Sequence, residues 1–200
     1  AYQAGEILAR IHSIDPAGLP PLPRIAPADE IARLYETYRT HSAPRPVFEL
    51  AFRRLRDAMP TGDAPMRLVH GDFRNGNMLI TPQGVSAVLD WELAHIGDPM
   101  RDLGWICTAA WRFSVIDKPV GGFGEREDLI AGYAAAGGGA VSLATLRFWE
   151  TLGSLRWGVM CIGMGARAKQ SDRPVEMSMI ARRTSENEID LLRLLAPRGD

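Results

Sequence analysis

The 200 residues predict an α+β chain, mostly α-helical, with one small β-hairpin at its functional centre. Three observations point there. Apolar residues recur at helical spacing over most of the chain, before and after the hairpin. Between those stretches two short apolar runs, Leu68-Val69 leading on to Met78-Leu79-Ile80 and Val88-Leu89 returning, flank Pro82-Gln83-Gly84, a sequence suited to closing a hairpin. A hydrophobic fraction of 46% can bury a proper core, so residues 1–200 are read as a single domain.

The chain opens on Tyr2-Gln3-Ala4-Gly5-Glu6-Ile7-Leu8-Ala9-Arg10-Ile11-His12, a helical pattern without the apolar stretch of a signal peptide. Asp15-Pro16-Ala17-Gly18-Leu19-Pro20-Pro21-Leu22-Pro23 cannot continue a helix and reads as a loop. Residues 28–40 place Ile31, Leu34, Tyr35 and Tyr38 on one helical face, and residues 47–59 do the same with Leu50, Ala51, Leu55 and Ala58. Tyr35 and Tyr38 are expected in helix contacts rather than as an aromatic platform. Past the hairpin, residues 100–110 read as a helix with Asp98 as N-cap and Pro99 in its first turn. Residues 111–124, rich in Gly, Pro and aromatics, are the longest irregular stretch there, of a kind that often lines sites. Residues 125–136 are helical up to Gly137-Gly138-Gly139. Ser142 caps a long helix through about Lys169, with Leu143, Leu146, Trp149, Leu152, Leu155, Val159 and Ile162 on its buried side. Residues 175–196 are helical again, with a break at Ser185-Glu186-Asn187-Glu188, which spells a capping box.

The hairpin carries the chemistry. The loop before it reads His70-Gly71-Asp72-Phe73-Arg74-Asn75-Gly76-Asn77, and the returning run ends in Asp90-Trp91-Glu92. If the hairpin is centred near Gln83, Asn77 lies almost opposite Leu89 and Asp90. An amide oxygen and a carboxylate converging at one end suit a hard divalent cation such as Mg²⁺. Asp72, on the preceding loop, then faces the same cavity without being a ligand, where a catalytic base belongs. Two metal ligands and one base make a phosphoryl-transfer site.

At these residues the chain resembles the aminoglycoside phosphotransferase and choline kinase family of protein-kinase-like enzymes, and most closely the phosphotransferases associated with acyl-CoA dehydrogenases. The motif His-x-Asp-x-x-x-x-Asn, followed by a short strand ending in Asp, carries the resemblance, and Gly97-Asp98-Pro99-Met100-Arg101-Asp102-Leu103 extends it. The resemblance implies the C-terminal lobe of a kinase-like fold, with Asp72 orienting or deprotonating an acceptor hydroxyl and Asn77 and Asp90 holding Mg²⁺ on the phosphates of ATP or GTP. It also implies structural support of the catalytic loop by His70, and by Asp102 through backbone hydrogen bonds. Gly71 stands where many protein kinases have an Arg that pairs with a phosphorylated loop, and Trp91-Glu92 where they have Phe-Gly. Switching by phosphorylation is therefore not expected, and a small-molecule acceptor fits better than a protein.

The only lysines are Lys118 and Lys169, both downstream of the motif, so neither is the phosphate-binding Lys of the family's N-terminal lobe. The chain is accordingly read as the large lobe alone, a fragment expected to bind ATP weakly and transfer no phosphate by itself, with self-association or dependence on the missing lobe as a consequence. A net charge of −1 without a basic run gives no electrostatic footprint for nucleic acid, and no apolar run is long enough to span a bilayer, so a cytoplasmic protein is expected. Cys107 and Cys161 lack metal-ligand spacing and read as buried thiols. Glu92, Asp98, Arg182 and Arg183 are the candidates for the acceptor cleft. Asp98 has a competing reading as the helix cap, and the two arginines as solvated surface. Guanidinium groups, including Arg156 and Arg167, suit an anionic acceptor, whereas an aminoglycoside would require a cleft dense in carboxylates. Two other readings stand beside the small-molecule kinase. A non-catalytic nucleotide-binding module would have no need of base and metal ligands together, and a metallophosphoesterase would need an Asp-x-His that the chain lacks.

Overall fold

The computed structural model describes residues 1–60 and 65–196. In chain order the elements are α1 (Tyr2–His12), α2 (Pro27–His41), α3 (Pro46–Asp57), β1 (Arg67–Val69), β2 (Met78–Thr81), β3 (Gly84–Val88), β4 (His95–Gly97), α4 (Met100–Cys107), α5 (Arg126–Ala135), α6 (Leu143–Arg167), α7 (Pro174–Ala181) and α8 (Thr184–Leu195), so the chain is mostly helical with small antiparallel sheets. Residues 1–27 and 60–150 form one compact unit, and residues 28–59 with those from Thr151 onward form a second. No helix among the described residues is long and apolar enough to cross a membrane.

The first unit holds both two-stranded sheets. β2 and β3 pair antiparallel with Met78 opposite Val88 and Leu79 opposite Ala87, then shift register before Ile80 pairs with Val85. That is the expected hairpin, turned at Pro82 and Gln83. The apolar run before the loop makes a different pairing, which the sequence did not announce: β1 lies antiparallel to β4, Arg67 opposite Gly97 and Val69 opposite His95. β4 is three residues long and buried throughout, so it lacks the polar–apolar alternation that marks a half-buried strand. Its other edge is covered by the connector after α1, where Ile25 N–H donates to Ile96 O at 2.9 Å and Ile96 N–H to Pro23 O at 2.8 Å.

The core beneath the sheets gathers Leu8, Phe73, Leu103, Ile106, Leu129 and Leu146, all fully out of water. Burying each such side chain contributes about 1.5–3 kcal/mol. α1 and α5 touch backbone to backbone, and glycine on both sides makes this approach feasible. A Cβ at Gly5 would stand 2.1 Å from Leu129 O, and one at Gly132 would stand 2.0 Å from Tyr2 O. Residues 111–124 are irregular, as expected, and are strapped down by a buried carboxylate: Glu150 accepts from Arg112 at 2.8 Å and from Arg126 at 2.7 Å. Cys107 is buried and free, and burial pushes its thiol far above the ordinary range.

In the second unit Tyr38, fully buried, packs against Phe48 and Phe52 at ring separations of 5.7 and 5.5 Å, the helix-contact role expected of it. The buried stripe of α3 is Phe48, Ala51, Phe52 and Leu55. Leu50 is 40% exposed and Ala58 lies exposed at the helix end, so the expected face is rotated: two phenylalanines at i and i+4 bury more area than Leu50 could. α6, whose start up to Glu150 belongs to the first unit, is capped as expected, Thr145 N–H donating to Ser142 Oγ at 3.0 Å, but Leu143 is 56% exposed. The last helical segment breaks at Arg182 and Arg183, earlier than the capping-box spelling suggested; Ser185 lies inside α8, and Thr184 Oγ1 donates back to Ala181 O at 2.8 Å.

Candidate active site

The loop between β1 and β2 turns sharply at Gly71, whose φ of +85° is open to glycine without strain. Space makes the same demand, since a Cβ there would stand 2.4 Å from Leu93 O. The turn aims the amides of His70 and Gly71 inward at Asp102, in the first turn of α4. Asp102 Oδ2 accepts from His70 N–H at 2.8 Å and Oδ1 from Gly71 N–H at 2.9 Å, while Arg101 donates to Gly71 O at 3.1 Å. Asp102 is fully buried. Burial works to raise its carboxyl, but the hydrogen bond from His12, the Arg101 guanidinium and the Gly71 amide together hold it below the usual carboxylate value. Asp98, four residues earlier and 4% exposed, shifts the other way: burial raises it, and the Met100 amide only partly opposes that.

His70 joins the two halves of the site. Asp72 N–H donates to His70 Nδ1 at 3.2 Å, so this nitrogen is the bare acceptor and Nε2 carries the proton that is given to Leu89 O at 3.0 Å. One imidazole thereby ties the backbone of Asp72 to the residue before Asp90. Its ring packs 4.5 Å from that of Trp91.

The Asp72 carboxylate, with its side chain 15% exposed, is held on three sides. Trp105 Nε1–H donates to Oδ1 at 2.7 Å, Asn77 Nδ2–H to Oδ2 at 2.8 Å, and Arg74 Nε–H spans both oxygens at 3.3 and 3.2 Å. The Arg74 guanidinium sits 5.0 Å over the Trp111 ring, and a Cβ on Gly76 would meet it at 2.1 Å. Asn75 fastens the loop outward, its Nδ2 donating to Trp111 O at 3.2 Å and Gly121 O at 2.8 Å, which joins the irregular 111–124 stretch to the 70–77 loop.

At the base of the hairpin Leu89 N–H donates to Asn77 O at 2.8 Å, the register expected of a hairpin centred near Gln83. Asn77 is 5% exposed and gives its amide nitrogen to Asp72 twice, to the backbone O at 2.9 Å and to Oδ2. What it has left to offer is its carbonyl oxygen. Asp90 is exposed, makes no hydrogen bond or ion pair to any described residue, and is held at φ +65°, a left-handed conformation costly for a residue other than Gly. Strain of this kind collects at ligand-holding positions. One amide oxygen and one unpaired carboxylate are the donor chemistry that Mg²⁺ takes, with room left for phosphate oxygens and water. The described residues contain no group of three His, Cys, Asp or Glu side chains placed to hold a metal by themselves.

Of the other expected residues, Glu92 lies exposed in the turn after Asp90, beside Trp91. Asp98 faces inward, its Oδ1 accepting from Met100 N–H at 2.9 Å, and at 4% exposure it offers little surface to a cleft. Of its two readings, the geometry is that of the cap. Arg182 and Arg183 belong to the second unit, where Arg183 pairs with Glu186 at 3.0 Å and lies 5.8 Å over the Trp157 ring. Sequence reasoning missed Trp105, Arg74, Arg101 and His12, all of which touch Asp72 or what holds it. Arg74 sits inside the motif and could have been singled out, since a cation two residues from the candidate base is within side-chain reach. Arg101 lies beside Asp102 in the Gly97–Leu103 segment and could have been singled out with it, whereas Trp105 and His12 have no local pattern to mark them.

The fold is that of known phosphotransferases. A putative aminoglycoside phosphotransferase from Ralstonia eutropha JMP134 superimposes with a TM-score of 0.75 at 22% identity, over 96% of this chain and 64% of that one. A spectinomycin phosphotransferase, solved as its AMP-bound complex, superimposes with a TM-score of 0.67 at 14% identity, over 99% of this chain and 66% of its own. The sequence matches the model of the phosphotransferase enzyme family over residues 1–138, and the chain belongs to that family. Among curated relatives, acyl-CoA dehydrogenase family member 10 of Mus musculus is 34% identical over 110 residues, which are 52% of this chain and 10% of that protein. The chain thus spans a small part of that relative and just under two thirds of each solved neighbour.

Proposed function

We propose that the protein carrying this chain transfers the γ-phosphate of ATP or GTP to a hydroxyl of a small molecule, with Asp72 as the base and Asn77 and Asp90 as the Mg²⁺ ligands. The observation that carries this reading is the Asp72 carboxylate. It is fixed by Trp105, Asn77 and Arg74 on a loop anchored by Asp102 and tied through His70 to Leu89, the residue before an unpaired Asp90. Phosphoryl transfer asks little covalent chemistry of a protein and much positioning. In this reading Asp72 orients the acceptor hydroxyl and takes its proton as the acceptor oxygen bonds to the γ-phosphorus and the bond to the β-phosphate oxygen breaks, releasing the nucleoside diphosphate. Mg²⁺, when bound, neutralises charge on the phosphates. Asn77 links the two functions, because the amide nitrogen that steadies Asp72 leaves the oxygen of the same side chain for the metal. His70 and Asp102 hold the loop.

The part of the family's machinery that clamps the nucleotide from the other side is proposed to lie outside these 200 residues, which supports studying the full-length protein. The acceptor is proposed to be a hydroxylated metabolite rather than an aminoglycoside, and the protein is proposed to work in the cytoplasm. The relative named for acyl-CoA dehydrogenation puts hydroxy acids and hydroxyacyl compounds first on a panel that also holds amino alcohols and aminoglycosides. The test is Asp72→Asn in the full-length protein: nucleotide binding is retained and turnover drops by about 10²–10⁴. Unchanged turnover would remove Asp72 from the role.

A further inference from the structure

Behind the catalytic loop lies a second polar chain that the proposed reaction does not use directly. His12, the last residue of α1, is 4% exposed. Its Nε2 stands 3.2 Å from Asp102 Oδ2, and its Nδ1 stands 3.0 Å from the hydroxyl of Tyr133 on α5. A carboxylate only accepts, so Nε2 carries a proton toward Asp102. Burial first, and then the charges of Asp98 and Asp102, push the Tyr133 phenol far above its usual range. It therefore keeps its proton and can donate it to Nδ1, which selects the Nε2–H tautomer. The geometry that permits this comes from the glycine crossing. Gly5 and Gly132 let α1 and α5 meet backbone to backbone, and Tyr133, the residue after Gly132, is thereby set against the end of α1.

The consequence runs forward. Asp102 Oδ2 is shared between His12 and the amide of His70, while Oδ1 takes the amide of Gly71, and Asp72 is the next residue. A carboxylate with no donor behind it could turn about its own χ2 and release one of the two amides. Pinned by His12, it has one orientation in which both are served.

We propose that His12 is a positioning residue for the reaction at Asp72: held in one tautomer by Tyr133, it fixes the rotamer of Asp102 and through it the backbone of His70, Gly71 and Asp72. This rests on the reading of Asp72 given above, and it predicts a loss in kcat rather than in nucleotide affinity. Misplacing a reacting group by about 1 Å costs about 10²-fold in rate.

The test uses the full-length protein and four variants, His12→Leu, His12→Gln, Tyr133→Phe and Asp72→Asn. Two quantities are read: amide hydrogen exchange of the segment containing residues 70–72, and ADP release from Mg²⁺·ATP with water as acceptor. His12→Leu is expected to speed exchange of residues 70–72 about tenfold or more, the worth of a lost hydrogen bond to a charged group. It should also lower kcat about 10- to 100-fold with KM for Mg²⁺·ATP unchanged. His12→Gln, whose side-chain N–H can reach Asp102 from the same side, should restore both. Tyr133→Phe, which removes only the hydroxyl, should move both in the same direction by a smaller factor and keeps the test open if His12→Leu does not fold. Asp72→Asn should remove ADP release and leave exchange at residues 70–72 as it is. Unaltered exchange in His12→Leu and Tyr133→Phe, a fall in affinity instead of kcat, or a Gln variant as impaired as the Leu variant would overturn the role of His12. Persistent ADP release in Asp72→Asn would overturn the reading of Asp72 instead, while faster exchange in His12→Leu would still stand for the positioning.

Discussion

Asp102, bonded to the amides of His70 and Gly71, and Asp90, which follows the residue bonded to His70 and Asn77, are built in opposite ways. Asp102 is fully buried, receives hydrogen bonds from two backbone amides and a histidine, and has its carboxyl held low by that company. Asp90 is exposed, unpaired among the described residues, and strained at φ +65°. A satisfied carboxylate has no capacity left for a ligand; an unsatisfied one that the fold holds in a costly conformation has all of it. The difference separates a residue whose bonds are spent on the fold from one left open to a ligand. The back of the loop is positional, and the front, with Asp72, Asn77 and Asp90, is where ligands are expected.

That division can be broken at several points. Asp102→Ala strands the amides of His70 and Gly71 and unpairs His12, so unfolding in urea should show a loss of about 3–5 kcal/mol. A cost under about 1 kcal/mol would mean that the buried network is incidental. Gly71→Ala meets both a left-handed backbone and the Leu93 carbonyl, and should lose about 2 kcal/mol or more in the same measurement.

Acidity sharpens the comparison inside α4. Asp102 is depressed in the fold, so its contribution to stability is present above its ordinary value of 3.8 and is lost as pH falls through the lower folded value. Asp98 is raised and has the opposite sign: its ionised form is disfavoured in the fold, so stability is lost as pH rises from the ordinary value of 3.8 through the higher folded value, and the full penalty stands above it. Urea midpoints followed from neutral pH downward should therefore fall less steeply at the acid end in Asp102→Asn than in the wild type. At neutral pH Asp98→Asn, which retains an oxygen for the Met100 amide, should be stabilised or unchanged, within about 1 kcal/mol. A clear loss there would give the Asp98 charge a role that its inward position does not suggest.

Much of the front of the site was legible in the sequence, because it is written in consecutive residues. The motif from His70 to Asn77, the turn at Pro82-Gln83-Gly84 and Asp90 sit close enough along the chain for a hairpin to bring them together. The helices followed from apolar spacing, apart from the rotated face of α3 and the break before α8, where Phe48 and Thr184 outweighed Leu50 and the Ser185 spelling. The back was not legible, and the reason is sequence separation. His12 reaches Tyr133 across 121 positions and Asp102 across 90. Trp105 reaches Asp72 across 33. Such contacts exist because α1, α4 and α5 pack in the first unit, and neither spacing nor residue type announces the partner in advance. β4 escaped for a related reason, being too short and too thoroughly buried to show a period.

The most direct measurement is a calorimetric titration of Mg²⁺·ATP into the full-length protein and its Asp90→Ala and Asn77→Ala variants, each also unfolded in urea. If the front of the loop holds the metal, Asp90→Ala weakens binding more than Asn77→Ala, since a charged carboxylate contributes more to a hard cation than a neutral amide. Its stability should change by no more than about 1 kcal/mol, as befits an exposed and unpaired side chain. Equal or reversed losses of binding, or an Asp90→Ala protein that binds Mg²⁺·ATP as the wild type does but unfolds as easily as Asp102→Ala, would contradict the account.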